Sequence, residues 1–395
     1  MSTDALRRID ALLQVGLRLA RTAPNGRIVL AQIARSIDLE WIPRPAGDEI
    51  AAELEAAGAH TRDPLSPRAV ERALRDAWGV KPSDELDELD PDPVAVTPTA
   101  QVHQGVLDGS PVAVKLLRPG LAASARQDLV LLDGLLGPLG TAFPGIDPRA
   151  LIREFRERVL DELDLEHEAS SQRRFHRALR SHPFLTVPAP VTRLTREGVL
   201  VSDWVDGVPI SSAPDPDAAA ARLLVFVVGA ARFGVMHADP DLDDVLVLPD
   251  GRLAILDFGA TRTVVPERVA SVQAALDAFA ADDAAGLGVA LAKLGALPES
   301  EGAAVIEVAR HILGELAGPG RARLDTPAVI GARDRLIAGP DPLVRLVLAG
   351  TLAPDDLWPA RGIAQLYSLI SRLGASGEWL ELSRAALRDG WEAGA

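Results

Sequence analysis

The chain contains no cysteine. A disulfide scaffold, a cysteine nucleophile and a thiolate metal site are therefore excluded, and nothing requires an oxidising compartment. Long apolar runs are missing too. The most apolar stretch, residues 223–231, lies between Arg222 and Arg232. It falls well short of the ~20 apolar residues a membrane span needs, so it reads as a buried helix. Residues 1–20 carry Asp4, Arg7, Arg8 and Asp10, which suits an amphipathic helix and not a signal peptide. Basic charge is scarce. The 41 Lys and Arg residues face 56 Asp and Glu, for a net charge of −15. A nucleic-acid partner, which needs a basic footprint, is not expected, and adhesion to anionic lipid through a basic surface is disfavoured. The chain reads as cytoplasmic, with membrane contact, if any, peripheral or through a partner.

Several catalytic signatures are also absent. No lysine precedes Ser or Thr, so there is no P-loop. No Gly-x-Gly-x-x-Gly exists, which removes both the dinucleotide fingerprint and an ordinary kinase glycine loop. There is no His-Glu-x-x-His; His167 and Glu168 are adjacent, but His176 is too far along to complete a zinc set. A Gly-x-Ser-x-Gly elbow is missing as well. Lysine itself is rare: Lys81, Lys115 and Lys293 are the only three in the chain. One of them nevertheless ends the run Val112-Ala113-Val114-Lys115. Lysine is a compact point charge that arginine replaces poorly at a phosphate, although chance placement at an exposed strand end would give the same text.

What is present supports large cores. Hydrophobic residues make up 48% of 395 residues, enough for two or three domain-sized units. The first ninety residues read as helical, with periodic segments at 4–21, 47–57 and 67–78, the last opened by Pro67. Residues 84–93 are acidic and proline-bounded, and read as a connector. Residues 101–107 and 111–117 flank Asp108-Gly109-Ser110, a strong hairpin signal. Helical text occupies 127–139 and 148–179, with a break near Leu163-Asp164. A strand at 199–204, a long apolar helix at 218–235 and a second hairpin (245–248 and 253–256) come next. The rest reads as helices. The expected fold is α+β and bilobal, with a helical extension at 1–90, a strand-rich lobe at 91–205 and a mostly helical lobe at 206–395.

Three short motifs occur in a telling order. Lys115 falls near the end of the second hairpin strand. His237-Ala238-Asp239-Pro240 comes after the long apolar helix. Asp257-Phe258-Gly259 comes after the second hairpin. Each tripeptide or tetrapeptide alone is weak, and a strand-end turn would explain Asp257 equally well. Together they describe a phosphate-handling site: a lysine for the phosphates, Asp257 for Mg²⁺ or Mn²⁺, and Asp239 to orient or deprotonate an attacking hydroxyl or water. Asp244, five residues past Asp239, takes the place of the second metal ligand. Leu165, Glu168, Phe175 and Leu179 recur at helical spacing, so Glu168 interrupts an apolar stripe. A buried carboxylate needs a partner, and Lys115 is the natural one; at the stripe's edge it would instead be solvated.

With these residues in place, the chain resembles the UbiB/AarF family of atypical kinase-like proteins. The resemblance rests on Val112 to Lys115 with Arg118-Pro119-Gly120, on Glu162-Leu163-Asp164 with Glu168-Ala169, on His237 to Pro240 and on Asp257-Phe258-Gly259. It covers most of the chain from about residue 27. It implies a kinase-like fold, ATP or ADP with Mg²⁺ or Mn²⁺, and an unknown acceptor such as a lipid, a quinone precursor or a protein. It also implies nucleotide contacts from Ala95 and Thr97 in an alanine-rich loop, and from Asp203 and Val205 at a hinge. Gln32, Glu162 and Asp164 would take the regulatory role of the family's Lys-x-Gly-Gln region.

The departures bear on activity. The Lys-x-Gly-Gln segment reads Val29-Leu30-Ala31-Gln32, without its lysine. Pro98 interrupts the alanine-rich loop and removes a backbone donor. The family's His-Pro-Gly-Asn after Asp-Pro becomes Asp241-Leu242-Asp243-Asp244. A carboxylate about 4 Å from a phosphate oxygen costs about 4 kcal/mol at an effective dielectric near 20, and an intervening metal ion reverses the sign. Nucleotide binding is therefore expected to depend on divalent metal. Three functions stay open: an ATPase or phosphotransferase, a pseudokinase scaffold, and a small-molecule phosphotransferase of the aminoglycoside or choline kinase type. The helix with Glu162 and Glu168 and the Arg-Pro-Gly after the lysine disfavour the third.

Overall fold

The structure, a computed structural model, describes residue 52 and residues 63–393, apart from 98, 143–146, 162 and 340. Expectations for residues 4–21, Gln32, Pro98 and Glu162 fall outside the described residues.

Two sheets organise the molecule. The first contains β1 (Glu88–Val96), β2 (Ala100–Leu107) and β3 (Ser110–Leu117). After β4 (Leu185–Thr186), β5 (Val199–Asp203) completes it, in the antiparallel order β1-β2-β3-β5. The β2–β3 hairpin turns where expected: Asp108 (φ 51°) and Gly109 (φ 75°) both adopt the left-handed conformation that a tight hairpin turn requires. The connector reading of residues 84–93 is corrected, because Glu88 onward pairs with β2. Pro91 and Pro93 disguise this strand. They are tolerated because β1 is an edge strand whose register shifts on both sides of Pro93. Helix α1 (Pro67–Trp78), capped by Ser66 and ended by Gly79 (φ 76°), buries Val70 and Leu74 against Val112, Val114 and Val201 of the sheet.

Between β3 and β5 the chain forms α2 (Leu121–Leu129), α3 (Leu136–Ala142), α4 (Pro148–Asp161) and α5 (Leu165–Ala178). The helix expected at 127–139 is broken, with Val130–Leu135 wound as a tighter 3₁₀ segment. The expected break between α4 and α5 is present, and Asp164 caps α5 by accepting the N–H groups of Glu166 and His167.

The second sheet runs β4-β9-β8-β6, with β6 at Val208–Pro209, β8 at Val245–Val247 and β9 at Leu253–Ile255. The apolar helix α6 (Pro216–Gly229) is buried nearly all round. It stops earlier than the expected 235: a 3₁₀ turn covers Ala230–Phe233, Gly234 (φ 72°) reverses the chain, and Val235–His237 forms β7. Strand β7 pairs with β10 (Thr261–Thr263). Helices then dominate: α7 (Pro266–Ala280), α8 (Ala284–Leu294), α9 (Gly302–Leu313), α10 (Thr326–Ala338), α11 (Asp341–Ala349), α12 (Leu357–Leu373) and α13 (Trp379–Asp389).

The core that matters for the site is aromatic. Phe258 lies fully buried, 5.0 Å from the Phe175 ring on α5, and Phe175 lies 5.5 Å from Phe226 on α6. Fully burying one such ring contributes roughly 1.5–3 kcal/mol. Phe258 thus anchors the segment carrying Asp257 to the helix carrying Glu168. Among the described residues, no helix is long and apolar enough to cross a membrane.

Candidate nucleotide site

Lys115 sits on β3, an inner strand paired on both sides, opposite Val102 of β2 and Leu200 of β5. Two ladders leave its backbone little freedom, so the side chain leaves from a fixed point. Its Nζ donates to both oxygens of Glu168 at 2.8 Å and to Oδ2 of Asp257 at 2.7 Å. Glu168 occupies the first turn of α5, and its side chain is only 2% exposed. Asp257 comes just after β9 and turns its other oxygen, Oδ1, back onto the N–H of Gly259 at 3.0 Å. That self-closed turn and the buried Phe258 set the direction of its carboxylate.

The electrostatics arise from one ammonium shared by two carboxylates. Burial would favour the neutral amine of Lys115, but Asp257 and Glu168 outweigh it and hold its pKa above the ordinary value. Burial likewise works against the Asp257 carboxylate, yet the Lys115 ammonium keeps it well below the usual carboxylate range. Glu168 goes the other way. Burial and the neighbouring Asp257 charge push it up to about 7, against the pull of Lys115. The triad is one positive charge short of neutrality.

The loop after β7 lies directly beside Asp257. Thr261 of β10 pairs with His237, and the Ala238 N–H donates to the Ala260 carbonyl at 3.0 Å. His237 Nε2 donates to the Asp257 carbonyl at 2.6 Å, so this histidine braces backbone. Asp239 is next but one, with Oδ1 accepting from Arg361 Nη2 at 2.8 Å. Asp241 caps a short 3₁₀ turn over Leu242–Asp244 by accepting the Asp243 N–H. The backbone of Asp244 is fixed because its carbonyl accepts the Leu256 N–H at 2.9 Å.

Lys115, Glu168, Asp239, Asp241, Asp244 and Asp257 line one cleft. Its free volume is ≈ 40 Å³, room for about three waters. The bridge from Lys115 Nζ to Asp257 Oδ2 joins two of its lining residues. A shallower and more open depression on α5, lined by Ser170, Arg173 and Arg177, contains none of these acidic groups. Among the described residues, no three His, Asp or Glu side chains converge as a ready-made metal cage. That donor set fits an ion such as Mg²⁺ that arrives with phosphates, since Mg²⁺ takes one or two carboxylates and completes its shell from phosphate and water.

Ala95, Thr97, Asp164, Asp203 and Val205 are not among the residues that line this cleft. Ala95 is exposed on edge strand β1, opposite Val102. Thr97 closes its own turn, with Oγ1 accepting the Ala100 N–H at 2.9 Å, and its carbonyl accepts from Arg118. Asp203 ends β5 and accepts the Ala189 N–H at 3.3 Å; Val205, two residues on, is half-buried. Asp164 serves as a helix cap. Two residues outside the expected contacts lie at the site. Thr99, within the alanine-rich loop that also holds Ala95 and Thr97, lines the cleft. Arg361 reaches Asp239 from α12, 122 positions away along the chain.

Residues 59–290 match the model of the ABC1 atypical kinase-like domain. The chain is 29% identical over 225 residues to a "Probable protein kinase UbiB" of Marinobacter nauticus, covering 52% of this chain and 41% of that protein. It is 31% identical over 213 residues to an uncharacterised chloroplastic aarF domain-containing protein kinase of Arabidopsis thaliana, covering 52% of this chain and 31% of that protein. It therefore spans less than half the length of these two relatives. A solved structure of Rv3197 of Mycobacterium tuberculosis, described as a complex with erythromycin, superposes with a TM-score of 0.65 at 24% identity. That match covers 92% of this chain and 91% of the other, and shows a shared fold. The kinase-like order of Lys115, Glu168, Asp239 and Asp257 has a matching lineage: the chain belongs to the ABC1 (UbiB/AarF) family of atypical kinase-like proteins.

Proposed function

We propose that the chain binds ATP or ADP together with Mg²⁺ or Mn²⁺ in the cleft between Lys115 and Asp239, and uses it for ATP hydrolysis or phosphoryl transfer. The observation that carries this reading is Lys115 Nζ held within 2.8 Å of Glu168 and 2.7 Å of Asp257. A lysine gripped by a buried helix carboxylate, beside an aspartate on a self-closed turn, is what a phosphate site needs before its ligand arrives. On binding, Lys115 would leave Asp257 for the phosphates while Glu168 keeps it in place. When bound, the metal would neutralise phosphate charge beside Asp257 and Asp244. Asp239 would then take the proton of the attacking water or hydroxyl as the new O–P bond forms and the bond to ADP breaks. For the acceptor, a lipid, a quinone precursor or a protein fits the family, with contact to a membrane peripheral or through a partner.

A second reading, a scaffold that binds nucleotide without turnover, draws support from the loop itself. Asp239, Asp241 and Asp244 all face the cleft where a metal-poor nucleotide would meet repulsion. Steady-state ATP hydrolysis with Mg²⁺ or Mn²⁺ separates the two readings. Wild-type turnover should exceed that of Lys115→Ala and Asp257→Asn by at least about a hundredfold, as for lost electrostatic groups of this kind. Nucleotide binding with turnover equal to both variants would favour the scaffold.

A further inference from the structure

We infer that Arg361 is the positioning residue for Asp239, and that helix α12 is part of the active site although it lies beyond the matched residues 59–290. The inference rests on the nucleotide reading above and goes past it, to how the loop half of the cleft is held. Arg361 Nη2 donates to Asp239 Oδ1 at 2.8 Å and Nη1 to the Ala238 carbonyl at 3.2 Å. One planar guanidinium thus fixes both the loop backbone and the rotation of the carboxylate. Arginine does this through its rigid fork, which lysine lacks. The pair is shielded, with side-chain exposures of 7% for Arg361 and 15% for Asp239.

Arg361 is itself held on two sides. Its guanidinium lies 4.8 Å from the centroid of Trp358, one helical turn earlier, and Trp358 stacks on Phe155 of α4 at 6.1 Å. Beside it, Gly362 lets α12 approach the loop closely. A Cβ there would stand 2.9 Å from both Ala238 Cα and the His237 carbonyl. Charge gives the arrangement a purpose. Among the described residues, Lys115 is the one cation lining an otherwise acidic cleft, and it is committed to Glu168 and Asp257. Arg361 supplies positive charge to the acidic loop through a contact with Oδ1 of Asp239, a residue that itself lines the cleft. A staple that served only folding could have bonded the Ala238 carbonyl alone.

The test uses the full chain as wild type, Arg361→Ala, Arg361→Lys, Asp239→Asn and the double variant Arg361→Ala/Asp239→Asn. MgADP affinity is read by calorimetry, and kcat and KM by steady-state ATP hydrolysis. Arg361→Ala should keep MgADP affinity and KM within about threefold while kcat falls by roughly thirtyfold or more, the pattern of a group acting only on the chemical step. Arg361→Lys should give an intermediate kcat. In the Asp239→Asn background, removing Arg361 should cost less than about twofold further, because its effect passes through Asp239. If Arg361→Ala does not fold, the same cycle with Arg361→Lys reads the coupling. An unchanged kcat, or an equal loss in both backgrounds, overturns the assignment. So does a wild type that binds MgADP without turnover, which leaves the nucleotide reading standing. A wild type without measurable MgADP binding removes that reading and this assignment together.

Discussion

Around Lys115, every charge finds a partner close by in the fold: Glu168 on the helix packed against the same sheet, and Asp257 on the turn locked by Phe258. Around Asp239 the loop carries four aspartates in six residues, and the cation that meets Asp239 comes from α12. The two halves of one cleft thus differ in what organises them. The lysine half is preorganised by local packing and holds one ammonium between two carboxylates. The loop half is acidic and depends on a distant helix. Losing a partner in the first half should abolish ligand binding, whereas losing one in the second should leave binding intact and slow turnover.

Four perturbations probe that contrast. The largest effect is expected for Lys115→Ala. Removing the ammonium leaves a buried Glu168 without its counter-charge, which should cost about 3 kcal/mol of stability by urea denaturation. Nucleotide affinity should fall by at least about a hundredfold by calorimetry, since one well-placed phosphate cation is removed. An affinity within a few-fold of wild type would show that the lysine half is not the ligand site.

The next effect is a pH dependence. Glu168 has a folded-state pKa raised to about 7 from an ordinary 4.5. A raised value means that its contribution to stability is fully present below the unfolded pKa and is lost as pH rises through 7. Wild-type stability should therefore decline between pH 5 and pH 8 by up to about 3 kcal/mol from this group. Asp257, shifted downward, gives stability that is lost only in acid and does not titrate in this window. Denaturation curves of Glu168→Gln should be flatter over the same range. An equal slope in both proteins would show that Glu168 is ionised throughout.

Gly362→Ala tests the loop half through α12. Its methyl would meet Ala238 backbone at 2.9 Å, and overpacking of this kind costs about 2 kcal/mol in thermal denaturation. MgADP affinity should stay close to wild type, because the Lys115 contacts are untouched. Loss of binding would mean that the halves are not separable. The smallest effect is expected for Asp244→Asn. Removing one carboxylate from the cleft should raise nucleotide affinity in EDTA by about threefold to tenfold and change it little with Mg²⁺ present. No change in either condition would place Asp244 away from the phosphates.

The same contrast explains what the amino-acid order makes legible. Lys115 announces itself because lysine is so rare here, and Glu168 because it interrupts an apolar stripe; local patterns carry both. The hairpin at Asp108-Gly109 and the helix at Pro67–Trp78 are equally visible, since turn and cap chemistry are local. Arg361 is not visible. It is one of many arginines in helical text, and its meaning depends on α12 folding back onto the loop. Strand β1 is hidden by Pro91 and Pro93, because only its edge position makes them acceptable. Ala95 and Thr97 rest on family resemblance alone, whereas the turn closed by Thr97 on Ala100 leaves Thr99 at the cleft.

On the proposed reading, the single ammonium shared by Glu168 and Asp257 prepares a site for a phosphate and a metal together, and the contrast between the two halves depends on it. Thermal denaturation of the wild type with ATP or ADP, in Mg²⁺ and in EDTA, puts this to the test. Nucleotide should raise the melting temperature clearly with Mg²⁺ and little in EDTA, because the acidic loop then faces the phosphates uncompensated. Equal stabilisation in both conditions would contradict it.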